Sequence, residues 1–296
     1  MEYVILSATG RLARVVTDAP YTVAHAATRE FRRADHDVIA AWAAADDGAV
    51  GLLASDGTAY RLATESLPIL EKGEPWSMAD APEVAALVSL ADGTEAVGLM
   101  TLDLDAPPLA LGTASGVVKR VTPEYKGWES WTVIALKEDD RVIGAGHAAD
   151  ADDVVFITSD AQLLRTQARE IRPQGRAAGG MAGLKLAEDA TPLWFGTVAK
   201  ADRDDAVVAT LTRGRQGEGT VKMTPFAEYP AKGRATGGVR THRFLTGQTE
   251  LVLGWVGTPP VRACDVQGHF RNLPAANDRR DGSGARVSGA FHALGG

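Results

Sequence analysis

The stretch Leu109-Ala110-Leu111-Gly112-Thr113-Ala114-Ser115-Gly116-Val117-Val118-Lys119-Arg120 joins an apolar run to a glycine-centred turn and a second short run that ends in two basic residues. A short apolar run bounded by turn residues reads as a buried strand, and Ala-Ser-Gly between two such runs reads as a hairpin. The pattern returns along the chain. Residues 4–10 lead to Arg14, residues 51–57 to Arg61, and residues 154–161 to Arg165. A fifth copy at 207–212 has a longer turn running to Gly219 before Lys222, and a sixth at 263–268 leads to Arg271. Anchors at 10, 57, 116, 161, 219 and 268 are spaced by 47, 59, 45, 58 and 49 residues. A period near 50 accommodates four short strands, the content of one propeller blade. The expected fold is therefore all-β: a six-bladed β-propeller over residues 1–296, a single domain of about 50 residues and four strands per blade. Closing six units on themselves also hides strand edges that an open array exposes. Helical periodicity is weak, and residues 83–89 make a short turn at most.

Composition agrees. The 296 residues are 45% hydrophobic and 23% charged, with 32 glycines concentrated in punctuation between apolar runs. The single cysteine, Cys264, excludes a disulfide framework and any CxxC metal site, and reads as a small buried residue. Polar residues at 8–14 interrupt the N-terminal apolar run, so no secretory signal is expected. No uninterrupted apolar stretch of ~18 residues offers a membrane span, and a reducing, cytoplasmic setting follows.

The formal net charge of −7 opposes nucleic-acid binding unless the charges are segregated. Acids cluster just before the anchor strands: Asp46-Asp47, Asp103 with Asp105, Asp150 with Asp152-Asp153, and Asp202 with Asp204-Asp205. Basic residues follow the turns: Arg14, Arg61, Lys119, Arg120, Arg165 and Lys222. An intervening strand of ~6–8 residues spans roughly 20–27 Å. Laid out this way, acids gather on one face of the ring and bases on a rim that contacts phosphates.

A second feature trails the later anchors. Residues 173–180 read Pro-Gln-Gly-Arg-Ala-Ala-Gly-Gly and residues 231–238 read Ala-Lys-Gly-Arg-Ala-Thr-Gly-Gly. Gly175 lies fourteen residues after Ala161, Gly233 fourteen after Gly219, and Gly282, within Arg279-Arg280-Asp281-Gly282, fourteen after Gly268. The third copy has only Tyr125-Lys126-Gly127-Trp128. A glycine lets backbone N–H groups approach a phosphate, and an adjacent guanidinium adds charge-assisted hydrogen bonds. The candidate contacts are Arg172, Gln174, Gly175, Arg176, Lys232, Gly233, Arg234, Arg279 and Arg280. Such contacts set position on a duplex without reading its sequence.

The segments Leu111 to Arg120, Glu170-Ile171-Arg172-Pro173-Gln174-Gly175-Arg176, and Gly219-Thr220-Val221-Lys222-Met223-Thr224-Pro225 running on through 229–239 resemble the C-terminal β-propeller (pinwheel) domain of type IIA DNA topoisomerase A subunits. The match is close over 109–244 and looser elsewhere. The resemblance implies a domain that binds and bends double-stranded DNA and presents a segment for strand passage. It implies as partners the remainder of the A subunit, together with its ATPase B subunit. ATP and Mg2+ are then used elsewhere in the parent enzyme, with no cofactor in this chain. It also implies a cytoplasmic, nucleoid-associated setting. Gyrase-type members carry a glycine- and lysine-rich box in the first blade, needed for full wrapping. The comparable residues here, Ala24-His25-Ala26-Ala27-Thr28-Arg29-Glu30, contain no glycine, which favours the topoisomerase IV protein over its DNA gyrase counterpart. Arg29, Arg32 and Arg33 remain candidate phosphate contacts. The family's strand-cleaving tyrosine, in an Arg-Tyr-Thr motif, belongs to a separate N-terminal domain. Here Pro20 precedes Tyr21-Thr22, and no cleavage chemistry is expected.

Enzyme chemistry finds no other foothold. His25, His36, His147, His242, His269 and His292 have no ligand spacing, and neither a Walker A nor a G-x-S-x-G sequence occurs. Ser55-Asp56-Gly57-Thr58 reads as a β-turn. The six tryptophans read as packing between blades, with Trp128 the candidate for exposure. Two alternatives stay open: a protein-interaction propeller with no DNA role, and a glycoside- or ester-hydrolysing propeller, which needs a convergent acid pair.

Overall fold

A computed structural model describes residues 1–17, 38–70, 77–125, 127–214, 218–275 and 279–296. Among them the chain forms six small sheets and one four-residue helix, Val84–Leu87. From the axis outward, blade 1 is Ile39–Ala44, Glu2–Ser7, Leu12–Val16 and Ile69–Leu70. Blade 2 is Ala96–Met100, Ala49–Ala54, Thr58–Ala63 and Ser130–Thr132. Blade 3 is Val142–His147, Leu109–Thr113 and Val117–Val121, edged by both Pro173–Gln174 and Met181–Ala182. Blade 4 is Pro192–Val198, Asp153–Thr158, Gln162–Gln167 and Val239–Arg240. Blade 5 is Gln248–Gly257, Val207–Gly214, Gly219–Pro225 and Ala285–Val287, and blade 6 is Ala293–Gly295, Arg262–Cys264 and Phe270–Arg271.

The six hairpins expected from the repeat are the second and third strands of the six blades. The second strands are buried along their whole length in blades 2, 3 and 4, because neighbouring blades cover both faces. Val4, Leu6 and Leu12 of blade 1 pack with Val50, Leu52 and Leu99 of blade 2, and Val155 and Ile157 of blade 4 with Val208, Leu251 and Val256 of blade 5. Burial of this kind contributes about 25 cal/mol per Å² of apolar surface and is the main force holding blade to blade.

The repeat differs from the expected one in a respect that sets the topology. A hairpin does not draw its fourth strand from its own repeat. After each of the second to sixth hairpins the chain crosses to the outer edge of the preceding blade, then returns to supply its own inner strand; residues 18–37, after the first hairpin, lie outside the described residues. Thus residues 173–182, which follow the blade 4 hairpin, edge blade 3, and Val239–Arg240 edges blade 4. The six inner strands neighbour one another in a closed cycle. The last link is Gly296 against blade 1: the Ile39 N–H donates to the Gly296 carbonyl at 3.1 Å, and the Gly296 N–H donates back at 3.4 Å.

Hairpin turns follow local chemistry. Gly116, at φ +78°, closes a turn in which its N–H donates to the Thr113 carbonyl, while Thr113 Oγ1 accepts from the Val117 N–H at 3.2 Å. Ser7, Thr158, Thr212 and Asp265 supply the same side-chain acceptor in blades 1, 4, 5 and 6. Gly219 is not a turn residue as expected; it opens the third strand of blade 5. The crossover loops need a different glycine. Gly180, Gly238 and Gly284 occupy equivalent places at φ +80°, +78° and +69°, where an added Cβ would lie 2.8, 2.3 and 2.3 Å from a third-strand carbonyl oxygen. These glycines let the crossover lie flat on the preceding blade.

Gly238→Ala is expected to cost at least ~2 kcal/mol, since strain at positive φ adds to a backbone collision. Gly247→Ala, also at positive φ but with nothing within 4 Å, is expected to cost only about 1 kcal/mol. Urea unfolding midpoints for the two variants check the difference, and equal losses would mean that the close approach is unimportant.

Candidate nucleic-acid interface

The basic residues that recur after each turn do not form an exposed rim. Arg120 is 2% exposed; its guanidinium donates to the carbonyls of Ala148, Ala168 and Ile171 and to Asp150 at 2.8 Å. Arg165 donates to Asp153 at 2.9 Å and to the Tyr229 carbonyl at 2.9 Å, and its guanidinium lies 4.5 Å from the centre of the Phe226 ring. Arg14 donates to the Leu67 carbonyl and to Glu2. Leu67, Ile171 and Tyr229 each end the short 3-10 turn at the start of a crossover. The recurrent arginine therefore fastens the next repeat's crossover to its own blade. Arg61 holds the corresponding place in blade 2, half-buried.

Lys119 and Lys222 are 0% and 1% exposed. The Lys119 ammonium donates to the carbonyls of Val133, Arg176 and Ala178 at 2.7–2.8 Å. The Lys222 ammonium donates to Thr224 Oγ1 and to the carbonyls of Arg279 and Arg280. Burial pulls both down to about 8, with neighbouring Arg176 and Arg280 acting in the same direction and Asp281 against it for Lys222. Lys119, Arg120, Arg165 and Lys222 are thus corrected from surface contacts to internal fasteners.

The charge pattern is corrected with them. Acids and turn-following bases were expected at opposite ends of a blade, yet Arg14 pairs with Glu2, Arg120 with Asp150, and Arg165 with Asp153. The reason is the antiparallel hairpin, which folds the third strand back along the second and sets Arg165 opposite Val155, two residues from Asp153. Asp153, fully buried, also takes Arg203 at 2.7 Å.

The glycine/arginine segments lie elsewhere, on the outer edges of consecutive blades: 173–182 on blade 3, 231–240 on blade 4, and 279–287 on blade 5. Aligned on Gly180, Gly238 and Gly284, they bring Arg176, Arg234 and Arg280 into equivalent places. Gly175 and Gly233 then match Arg279, so the expected correspondence of Gly175 with Gly282 is out by three residues. Arg172, Lys232, Arg234 and Arg279 are exposed, as are Gly175 and Gly233, while Arg280 and Gln174 are half-buried. Arg176 is half-buried too, its guanidinium 4.1 Å from the centre of the Trp128 ring and its Nε 3.8 Å from Glu124. Trp128 therefore lies beneath an arginine. A groove of about 530 Å³ opens beside it, lined by Glu124, Thr132, Ala135, Arg176 and Ala178.

Hydrogen bonds link loop to loop around this edge. The Ala135 N–H donates to Ala178, the Ala235 N–H to Gly183, the Lys185 N–H to Thr236, and the Arg243 N–H to Gly282. Arg234 Nη1 donates to the Ala182 carbonyl at 3.2 Å. His242, buried behind the last link, meets Thr210 Oγ1 at 2.9 Å, Thr220 Oγ1 at 3.0 Å and the Ser283 carbonyl at 3.1 Å. Exposed Lys185, Arg240, Arg243 and Arg286 extend the basic edge and were missed. Part of the signal was present: Gly238-Val239-Arg240 and Gly284-Ala285-Arg286 share a Gly-x-Arg pattern in register. Arg29, Arg32 and Arg33, with residues 24–30, lie outside the described residues. Among the described residues no cluster of His, Cys, Asp and Glu is arranged to hold a metal ion, and no helix is long and apolar enough to cross a membrane.

The pattern of the family described as "DNA gyrase C-terminal domain, beta-propeller" matches residues 152–191 and 218–241, which include the crossovers on blades 3 and 4. The DNA gyrase A protein of Mycolicibacterium smegmatis is 31% identical over 153 residues, covering 50% of this chain and 17% of the relative. The DNA gyrase A protein of Deinococcus deserti is 35% identical over 134 residues, covering 44% and 16%. The chain thus spans about a sixth of the length of these relatives. The solved C-terminal domain of DNA topoisomerase IV superposes with a TM-score of 0.74 at 17% identity, covering 99% of this chain and 92% of that one. The gyrase A C-terminal domain superposes at 0.66 and 16%, covering 99% and 98%. In sequence and in fold the chain is similar to these C-terminal propellers, as its motifs imply.

Burial lowers His242 to about 4, Lys222 adds to the effect, and the Ser283 carbonyl opposes it. The imidazole is neutral in the fold but takes a proton near pH 6.5 when unfolded. Its contribution to stability is therefore present above pH 6.5 and is lost as pH falls from 6.5 toward 4, by up to roughly 3 kcal/mol. Urea titrations at pH 7 and pH 4.5 are expected to show a smaller acid loss for His242→Gln than for the unmodified protein. An identical loss in both would place the acid sensitivity elsewhere.

Proposed function

We propose that this chain, which its sequence and fold liken to the gyrase A C-terminal β-propeller family, is the DNA-binding and DNA-bending C-terminal domain of a type IIA topoisomerase A subunit. It holds a duplex against the outer edges of blades 3, 4 and 5 and presents that segment for strand passage. One observation carries the reading: three equivalent loops, each with an arginine, lie on consecutive blade edges and are joined by loop-to-loop hydrogen bonds into one curved basic band. A rigid curved band of cations favours a duplex that bends to follow it, because each further phosphate contact offsets elastic cost.

The net charge of −7 is compatible with this. The buried Asp153 is engaged by Arg165 and the exposed Asp150 is paired with Arg120, whereas Arg172, Lys185, Lys232, Arg240, Arg243 and Arg286 face solvent. Binding through backbone phosphates gives little base preference beyond a preference for easily bent DNA. The absence of glycine at 24–30 supports bending over full wrapping, on the topoisomerase IV side of the family. The partners are the rest of the A subunit, together with the ATPase B subunit. These handle strand cleavage, ATP and Mg2+, in a cytoplasmic, nucleoid-associated enzyme.

Replacing Arg176, Arg234, Arg240 and Arg286 together by Ala is expected to weaken binding to a 40-bp duplex at least tenfold at 0.1 M salt. The slope of log affinity against log salt should also fall by roughly one per phosphate contact removed. Fluorescence anisotropy at several salt concentrations reads both quantities. Unchanged affinity would remove these loops from the contact surface, and no duplex binding by the unmodified protein even at low salt would favour a protein-interaction propeller.

A further inference from the structure

We infer that Lys119 and Lys222 are positioning residues that convert the crossover loops on blades 3 and 5 into backbone-amide sites for phosphate oxygens. The inference rests on the DNA-binding reading and adds to it a second kind of contact, distinct from the arginine side chains.

The geometry begins beneath the loops. Each buried ammonium gathers carbonyl oxygens from the loop above it: Arg176 and Ala178 on Lys119, Arg279 and Arg280 on Lys222. In a trans peptide the N–H points opposite to the C=O. Drawing these four carbonyls inward therefore turns outward the N–H groups of Ala177, Gly179, Arg280 and Asp281. None of the four donates to a protein acceptor among the described residues. Ala177, Gly179 and Asp281 are exposed, and Ala177 lines the groove beside Arg176. Outward amides above a buried positive charge, with a guanidinium alongside, make a concavity suited to a phosphate diester oxygen. Glu124 and Asp281 are the acids that border these loops, and they favour a duplex, which supplies many phosphates at once, over a single free anion.

Blade 4 is an internal contrast. Leu164 replaces the lysine at the equivalent place, and the N–H equivalent to that of Ala177, on Ala235, is already taken by the Gly183 carbonyl at 2.6 Å. Its loop is tied to the loop of blade 3 through that amide, so the place left open at Ala177 and Asp281 is closed here. The contact band accordingly alternates at this place: an open amide beside arginine on blades 3 and 5, and a closed one on blade 4.

Two-dimensional 1H–15N spectra of the whole chain test this without any substitution. Adding a 24-bp duplex, and separately inorganic phosphate, is expected to shift the amides of Ala177, Gly179, Arg280 and Asp281 and to leave that of Ala235 in place. Lys119→Met and Lys222→Met should each abolish the shifts on their own loop only, and together weaken duplex binding on the order of tenfold. Duplex binding that leaves the four amides unmoved would overturn the inference while sparing the DNA reading. Amides that respond to phosphate in a protein that ignores duplex would sink the DNA reading and keep the sites. Shifts that persist undiminished in folded methionine variants would show that the lysines do not position the loops.

Discussion

Every blade with a fourth strand borrows it from the repeat that follows, and the structure depends on how that loan is secured. A crossover carried over to the preceding blade buries apolar side chains such as Leu67, Trp131, Ile171 and Phe226. Its backbone must also be satisfied by hydrogen bonds there. The third-strand arginine meets this need in blades 1, 3 and 4 by capping the carbonyl that ends the next crossover's short turn. Placing a guanidinium inside a protein is costly unless all its donors are used. Arg120 comes close, with three carbonyls and a carboxylate around it. Such an arginine acts as a test of correct assembly, since it is satisfied only when the neighbouring blade has delivered its loop.

The same economy explains why a protein of net negative charge can offer a basic edge. Cations within the blades are consumed by carbonyls and acids, so they contribute little field outside. Cations on the crossovers lie beyond the last strand, where solvent and any ligand meet them first. The division follows from position in the hairpin, because the third-strand Lys119, Arg120 and Lys222 face the interior of the stack and the crossover residues Arg172, Arg234 and Arg240 do not.

Much of the architecture was legible in the sequence. The hairpin stretch around Gly116 and its five relatives carries the blade count, because buried strands and glycine turns are dictated by short-range chemistry. The exchange of strands was not legible. Whether Val239–Arg240 edges its own blade or the one before it depends on which edge is nearer in space, and no local pattern encodes that. The placement of the basic residues divides along the same line. The loop of the exposed Arg234 is marked in the sequence by its glycines, whereas the periodic Arg165, tied inside its blade, drew attention because it recurs. Recurrence in phase with a repeat marks what the repeat needs, and what this repeat needs first is a fastener. The misplaced charge separation has an equally simple origin: distance counted along an extended chain is cancelled when a hairpin doubles back.

Borrowed strands also bear on how the ring comes into being at the ribosome. A blade newly emerged from the exit tunnel stays incomplete at its outer border until the following hairpin has been synthesised, so assembly proceeds as a relay rather than as six separate events. The inner circle waits longer, because the Gly296 backbone reaches Ile39 only after translation of the whole stretch between them. For the same reason no single fifty-residue unit can be excised or duplicated cleanly. Cutting out one repeat strips the border from its upstream neighbour, so changes in ring size must be made by exchanging boundaries inside the crossovers.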